Sequence, residues 1–249
     1  MRIFDCDAAF GRGTTPLPGE LETADELVAE LDHCGIEQAL VWHRDARERS
    51  AGQGNARMAA LKGHLRLHRS CTVMPYTSRE TFTEAELFEY LQMEDIRAVR
   101  AFPLTHCYLL DTISCGDLLG LLSAYRVPLF VPLGEFHNQW QGVYNLMRDF
   151  PHLTMVPTET GCWGQDRYFR PLIRNFPRFF LSTNRFETAG QLKSFVNDLG
   201  YERLLFGSGL PFNNPGGYIT LLARADISDE ARQAIAYDNL VYLLGEVAL

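Results

Sequence analysis

The feature that most constrains the fold is a repeated alternation between short apolar segments and amphipathic segments of helical length. The apolar segments are rich in Val, Ile, Leu and Phe, which favour buried strands, and the segments between them have the apolar spacing of helices. Strands that alternate with helices in this way form a parallel sheet. Eight such units predict a (β/α)8 TIM barrel, an α/β fold, with extra helices after the last unit.

The predicted strands lie at 2–7, 38–43, 67–75, 96–103, 127–133, 153–159, 179–184 and 203–209. The predicted helices lie at 23–35, 54–64, 83–94, 115–125, 139–149, 168–175, 189–199 and 216–224, and one or two closing helices follow residue 228. Thr23 with Glu26, and Thr83 with Glu86, have the capping-box pattern of helix starts. No linker-like or low-complexity run interrupts the series, so we expect one domain over residues 1–249.

The composition favours a cytoplasmic protein whose partner is a small molecule. A chain of 249 residues that is 46% hydrophobic can bury a substantial core. Its net charge of −8 and the lack of any basic cluster argue against nucleic acid and against an anionic membrane surface. The first residues lack the apolar run of a secretory signal, and no stretch approaches the length of a membrane span. Self-association into a homo-oligomer is left open.

Six cysteines, at 6, 34, 71, 107, 115 and 162, include no Cys-x-x-Cys pair. This spacing predicts reduced, mostly buried thiols and no zinc knuckle or thioredoxin motif. Cys6 and Cys162 each lie near a carboxylate at a predicted strand end. Because a neighbouring negative charge raises the pKa of a thiol, we expect neither to be an activated nucleophile.

All eight strands of such a barrel end at one face, where the active sites of this fold lie. The longest loops predicted at this face are 8–21, 44–54, 104–114, 162–167 and 210–215, and their Gly, Asn, Trp and His residues suit a ligand pocket. His43 ends the second strand and His137 follows the fifth. Either histidine, paired with a carboxylate at this face, could act as a general base.

Arginines at the same face have the opposite charge. Arg100 and Arg185 lie at or just after the fourth and seventh strands, and Arg47 lies in the loop after the second. A guanidinium can bind a carboxylate or phosphate of a ligand with two hydrogen bonds, or it can neutralise acids of the protein. We therefore treat His43, Arg100 and Arg185 as candidates for ligand binding.

Residues 202–211, Glu-Arg-Leu-Leu-Phe-Gly-Ser-Gly-Leu-Pro, resemble the eighth-strand signature of the amidohydrolase-related family, Arg-Ile-Leu-Phe-Gly-Ser-Asp-x-Pro. Residues 2–11 resemble its first strand, Asp-x-His-x-His followed by Gly, and similar segments follow in order to the C-terminal helices. The resemblance implies a metal-dependent barrel hydrolase. In that family an ion held by histidines and a carboxylate lowers the pKa of a bound water and polarises a carbonyl.

The positions that match the family's ligands hold other residues here: Asp7 and Ala9 on the first strand, then Pro132, Glu159 and Gly209. No family histidine is present at its matched position. The remaining oxygens, of Asp7 and Glu159 with Glu135 as a third acid, would suit Mg²⁺ or Mn²⁺ better than zinc. We therefore expect no cofactor, with a divalent metal on Asp7, Glu135 and Glu159 as the alternative.

Three functions remain open on this basis. The first is a barrel with a degenerate metal site, a pseudoenzyme candidate that binds a small polar or carboxylate-bearing molecule at its mouth with at most residual, metal-free hydrolase activity. The second is an active hydrolase or decarboxylase with a rebuilt site. The third is a non-catalytic structural or regulatory partner of an active paralogue. The candidates for catalysis are Asp7, Glu135, His137 and Glu159.

Overall fold

The computed structural model describes residues 1–161 and 164–249. Its strands are β1 Phe4–Phe10, β2 Gln38–His43, β3 Leu67–Arg69, β4 Cys71–Thr72, β5 Val99–Arg100, β6 Leu129–Pro132, β7 Met155–Thr158, β8 Leu181–Ser182 and β9 Leu204–Leu205. β3 pairs with β2 and β4 pairs with β5, so these two short strands are the halves of one barrel strand. Each strand overlaps one that the sequence predicts.

The strands close into a barrel with parallel neighbours throughout. The ladders run β1-β2-β3, β4-β5-β6-β7 and β8-β9. A parallel bridge between Met155 and Phe179 joins β7 to the β8 segment, and a bridge between Ala8 and Leu210 joins β1 to the segment after β9. The hydrogen bond from Cys6 N to Phe206 O, at 2.8 Å, completes this last seam. The predicted TIM barrel is therefore confirmed.

The helices are α1 Ala24–Cys34, α2 Asp45–Glu48, α3 Ala51–Met58, α4 Glu84–Glu94, α5 Thr112–Ala124, α6 Trp140–Asp149, α7 Asp166–Asn175, α8 Gln191–Leu199 and α9 Pro215–Arg224. After the barrel come α10 Asp229–Gln233, a π-helical turn Ala234–Asp238 and α11 Asn239–Gly245. Both capping boxes form, at Thr23 and at Thr83. The predicted loop 44–54 is largely helical, because α2 and the start of α3 lie within it. In the described part of the chain, no helix has both the length and the apolarity that a membrane crossing requires.

Alternate residues of each strand face the barrel interior, as the two-residue period of a strand requires. On β2, Ala39 and Val41 pack outward against the helices, and Leu40 packs inward. The interior cluster continues with Phe4, Cys6, Ala98, Phe130, Val156, Phe180 and Leu205. Tyr237, Leu240, Leu243 and Leu244 join the same cluster from the C-terminal helices. These helices therefore cover the N-terminal end of the barrel and leave the C-terminal end as the mouth.

Candidate functional site

The C-terminal mouth collects charged side chains from four strands and one helix. Asp7 lies on β1, Arg100 on β5, Glu135 just after β6 and Glu159 just after β7, and Arg47 lies on α2. The carboxyl ends of the parallel strands meet at this face, which brings residues distant in sequence to one place. β1 also has a register shift between Asp5 and Ala8, an irregularity of the kind that redirects side chains at barrel rims.

Arg100 and Asp7 form an ion pair inside the barrel. Arg100 is fully buried; its Nη1 donates to Asp7 Oδ1 at 2.8 Å and its Nη2 donates to Cys6 O at 2.8 Å. The guanidinium also lies over the rings of Phe130 and Trp42, at 5.2 and 5.8 Å from their centroids. This pair ties β5 to β1, and it is the internal neutralisation that the sequence left as an alternative to ligand binding by Arg100.

Glu135 is held by a complete set of donors. It is 2% exposed, and it accepts hydrogen bonds from Arg47 Nε at 2.9 Å, from Thr105 N at 2.9 Å and from Thr105 Oγ1 at 2.8 Å. Arg47 keeps about a quarter of its side chain exposed and lies over the ring of Phe102 at 5.4 Å. Glu135 thus fixes the guanidinium of Arg47 at the mouth while one side of that group still meets solvent.

Glu159 differs from the other two acids because it makes no hydrogen bond with the described residues. Its Oε1 lies 4.0 Å from Arg47 Nη1, and 31% of its side chain is exposed. Its φ of +54° is in the left-handed region, which a glutamate adopts at a cost. Surrounding protein atoms and the charges of Asp7 and Glu135 raise the pKa of Glu159, although Arg47 and Arg100 oppose the shift. A carboxyl group with these properties can exchange a proton at the mouth.

His43 is buried at the end of β2 and is fixed by its neighbours. Its Nδ1 accepts the backbone N–H of Asp45 at 3.1 Å and lies 3.6 Å from Asp45 Oδ2. Burial lowers the pKa of His43, so the neutral ring is favoured. The ring packs against Gly11, where an added Cβ would come within 2.5 Å of it. His43 therefore has a structural place, and a role in ligand binding stays a prediction.

His137 and Arg185 lie outside this group of charges. Both are exposed, and neither makes a hydrogen bond or an ion pair with the residues that the structure describes. Arg185 has a left-handed backbone, with φ of +66°. Their predicted roles in catalysis and in ligand binding stay predictions. Cys162, at the start of the predicted loop 162–167, lies outside the described residues, and the expectation that its thiol is not activated stays a prediction.

Four side chains at the inner strand ends have polar atoms without a partner among the described residues. They are Trp42 Nε1, Arg100 Nε, Thr158 Oγ1 and both amide atoms of Asn184. All four are at most 3% exposed. Sequence reasoning named only Arg100 of this set. Their position in the sequence was the signal that could have identified them, since Trp42, Thr158 and Asn184 each lie within two residues of the carboxyl end of a strand and face inward.

Two of the positions matched to the family's metal ligands, those of Ala9 and Gly209, are closely packed here. Ala9 is buried in a cluster with Trp42 and Phe102. Gly209 has φ of +68°, and an added Cβ would lie 2.3 Å from Asn184 Nδ2.

The Cys6 thiol is fully buried, and burial followed by the charges of Asp7 and Asp5 raises its pKa well above the ordinary value. As the sequence predicts, this thiol is not an activated nucleophile.

A cavity of about 530 Å³ lies at the opposite, N-terminal end of the barrel, between Phe4, His68 and Tyr237. Its polar groups pair with one another: His68 with Gln38 at 3.1 Å, and Arg69 with Glu94 at 2.9 Å. The carboxyl group of Glu159, and the unpartnered buried polar atoms at the inner strand ends, lie at the other end. We therefore place the candidate site at the mouth, by its chemistry rather than by the size of a cavity.

No protein-family model matches the sequence, and no curated protein matches it significantly. Solved structures do match over the whole chain. An uncharacterized TIM-barrel protein from Bordetella bronchiseptica has a TM-score of 0.76 at 17% identity, with 99% of both chains covered. 5-carboxyvanillate decarboxylase from Sphingomonas paucimobilis has 0.75 at 14%, covering 98% of this chain and 99% of that one. Dihydroxybenzoic acid decarboxylase from Polaromonas sp. JS666 has 0.78 at 15%, covering 98% and 97%.

These comparisons correct the expectation that no cofactor is needed. Two of the matched decarboxylases were crystallised with bound manganese, so the expectation, which treated lost ligands as a lost cofactor, is wrong. The residues of this chain do not fit such an ion as they are arranged: Asp7 is paired with Arg100 and Glu135 with Arg47. Among the described residues, no group of three or more His, Cys, Asp or Glu side chains could hold a metal.

The matches include proteins named as amidohydrolases as well as decarboxylases. They agree with the resemblance seen at the eighth strand and extend it from single segments to the complete architecture. At identities of 17% and below, the likeness concerns the fold. The chain therefore has, along its whole length, the TIM-barrel fold that these amidohydrolase-type proteins share.

Proposed function

We propose that the protein binds a small carboxylate-bearing molecule at the C-terminal mouth, with Arg47 as the group that holds the carboxylate. The observation that carries this proposal is the fixed, partly exposed guanidinium of Arg47. Glu135 binds its Nε and Nη2, at 2.9 and 2.7 Å, and 25% of the side chain remains exposed. A guanidinium oriented in this way loses little freedom when it binds a carboxylate.

Three acids lie at the mouth, and protonation of one of them, Glu159, would let an anionic ligand bind there. Because its pKa is raised, it takes up a proton more readily than an ordinary glutamate. With Glu159 protonated, Asp7 and Glu135 balance Arg47 and Arg100, and the Glu159 O–H can donate to an oxygen of the ligand. Trp42, Phe102 and Phe212 add an aromatic wall. Two structural matches, a 5-carboxyvanillate and a 2,6-dihydroxybenzoate decarboxylase, are named for aromatic carboxylates.

Thermal unfolding with a panel of benzoates tests the proposal, because a ligand that binds only the folded protein raises Tm. We expect benzoate and hydroxybenzoates to raise Tm with concentration and neutral benzamide to have no effect, with and without added Mn²⁺. Arg47→Lys keeps the charge but loses the planar fork, so we expect about tenfold weaker binding. Arg49→Lys, a change to an exposed neighbour, is the matched control. If no carboxylate shifts Tm, the proposal is wrong.

The affinity should also depend on pH in a defined direction. A protonated Glu159 favours an anionic ligand, so the affinity for benzoate should fall as the pH rises through the raised pKa of Glu159. Calorimetric titrations at a series of pH values above the ordinary pKa of glutamate, at which benzoate is ionised, measure this fall. Glu159→Gln should bind benzoate with little dependence on pH. An identical pH profile in the variant would remove Glu159 from the ligand site.

A second candidate function is proton transfer to a bound carboxylate substrate, as in a decarboxylase or hydrolase. The raised pKa and the strained backbone of Glu159 favour it, since both features are typical of catalytic carboxyl groups. Product formation from the benzoate panel, with and without Mn²⁺, is the direct assay. We expect Glu159→Gln to lose any turnover and to keep the binding seen by thermal shift at low pH. No turnover in either condition would leave the binding function alone.

A further inference from the structure

The side-chain carboxamide of Asn184 is buried and makes no hydrogen bond with the described residues. It lies just beyond β8, is 0% exposed, and neither its Nδ2 nor its Oδ1 has a partner among the described residues. Burying a polar group without a hydrogen bond costs stability. Other buried asparagines avoid this cost. Asn55 exchanges two hydrogen bonds with the backbone of Thr72, at 2.7 and 2.8 Å, and Asn239 donates to two carbonyls.

The amide lies at the mouth, beside the position that matches the family's strand-eight carboxylate. An added Cβ on Gly209 would come within 2.3 Å of Asn184 Nδ2, and the N–H of Gly209 donates to Asp7 O at 2.9 Å. At the end of the neighbouring strand β7 and two residues beyond it, the hydroxyls of Thr158 and Thr160 are also buried without a partner among the described residues. The mouth thus has a neutral polar region next to its charged one.

We propose that Asn184 recognises an uncharged hydroxyl group of the ligand, so that the ligand class is a small hydroxylated carboxylate. The inference rests on the proposed carboxylate binding. A carboxamide both donates and accepts, which matches a hydroxyl, whereas Arg47 matches the charge. A buried site that pairs with a hydroxyl rejects analogues without one, because its own polar groups then stay unpaired. A hydroxyl of the bound ligand would give the Asn184 amide the hydrogen bonds that it lacks in the free protein.

Because Asn184 is fully buried, a ligand can reach it only if the side chain of Asn213 moves. Asn213 Nδ2 would lie 2.5 Å from the same added Cβ on Gly209, so both amides meet at one point. Asn213 is partly exposed and is held by a long hydrogen bond of 3.5 Å to Gly209 O. The next residue, Phe212, is 40% exposed and stacks on Trp42 at 6.3 Å. Side chains held this weakly can move to admit a ligand.

The test compares benzoate with 2-, 3- and 4-hydroxybenzoate on the full-length native protein and on Asn184→Leu. We expect the native protein to bind at least one hydroxybenzoate about tenfold more tightly than benzoate. Asn184→Leu should bind both with the native affinity for benzoate. Because it removes an unpaired polar group, the variant should also melt roughly 2–4 °C higher than the native protein. Asn55→Leu, which breaks two real hydrogen bonds, is the matched control and should melt lower.

The outcomes separate this inference from the proposed function. If the native protein binds no carboxylate, both are overturned. If it binds benzoate but Asn184→Leu keeps the native preference for a hydroxyl, the role of Asn184 is overturned and carboxylate binding stands. A fall in Tm for Asn184→Leu, equal to that of Asn55→Leu, would show that the amide is structural and would overturn the inference even if carboxylates bind.

Discussion

Asp5 illustrates how burial and hydrogen bonding act in opposite directions on a single side chain. It is fully buried on β1 and accepts the N–H groups of Asp7 and Ser208, each at 2.9 Å, and also the hydroxyl of Ser208. The hydrogen bonds favour the charged form, but burial outweighs them and raises the pKa of Asp5 to about 6. Stability from this group is therefore complete below pH 3.8 and is lost as the pH rises to about 6.

Asp5→Asn should remove that dependence on pH. The asparagine can keep accepting the two N–H groups and can donate to the Ser208 hydroxyl, so the fold should be retained. We expect the free energy of unfolding of the native protein to lose up to roughly 3 kcal/mol more than that of the variant between about pH 4 and pH 7. Urea unfolding at four pH values measures the difference. Asp25→Asn, an exposed change on α1, should follow the native curve.

The helices of the barrel differ in whether a side chain caps their N-terminus. In α1 the Thr23 hydroxyl accepts the N–H of Glu26 at 3.2 Å, and the Glu26 carboxylate accepts the N–H of Thr23 at 3.1 Å. The N-cap residue of α3 is Ser50, whose side chain makes no capping hydrogen bond. α2 is a single turn of four residues within a predicted loop, yet it carries Arg47. Capping patterns in the sequence predict α1 and α4. α2 is too short to leave a comparable pattern, so the sequence did not predict it.

Thr23→Ala should destabilise the protein by about 1 kcal/mol, because it removes one half of a reciprocal cap. Ser50 is the N-cap residue of α3 but makes no capping hydrogen bond. Ser50→Ala should therefore change the free energy of unfolding by less than about 0.5 kcal/mol. Urea unfolding of both variants gives the comparison. Equal losses would mean that the capping box contributes nothing beyond helix propensity.

At the scale of the whole molecule, the barrel is stabilised from inside as well as by its sheet. Arg100 reaches from β5 to β1, where it donates to both Asp7 and Cys6. Removing both members of a buried ion pair costs much less stability than removing one, because the loss of one leaves the other charge buried without a partner. The C-terminal helices cover the other end of the same interior through Leu240 and Leu243.

Arg100→Met should therefore cost roughly 3–5 kcal/mol of stability, and adding Asp7→Asn to it should restore a large part of the loss. Arg97→Met, which breaks an exposed pair with Asp95 two residues before β5, should cost about 1 kcal/mol or less. Urea unfolding of the single and double variants tests this. A double variant no more stable than Arg100→Met would mean that the lost contacts of the arginine, and not the stranded Asp7 charge, dominate.

Apolar periodicity and capping patterns are local and depend on neighbours in the chain, so the amino-acid sequence was enough to predict the eight strand–helix units and the barrel. The rule that sites of this fold lie at the C-terminal face then predicted where a site would be. The sequence also located Asp7, Glu135, Glu159 and Arg100 at strand ends. Their partners depend on the folded chain, since Arg100 pairs with Asp7 across 93 residues and Arg47 with Glu135 across 88. The same holds for Asn184. Whether a buried amide finds a partner depends on every strand around it, and no local pattern contains that information.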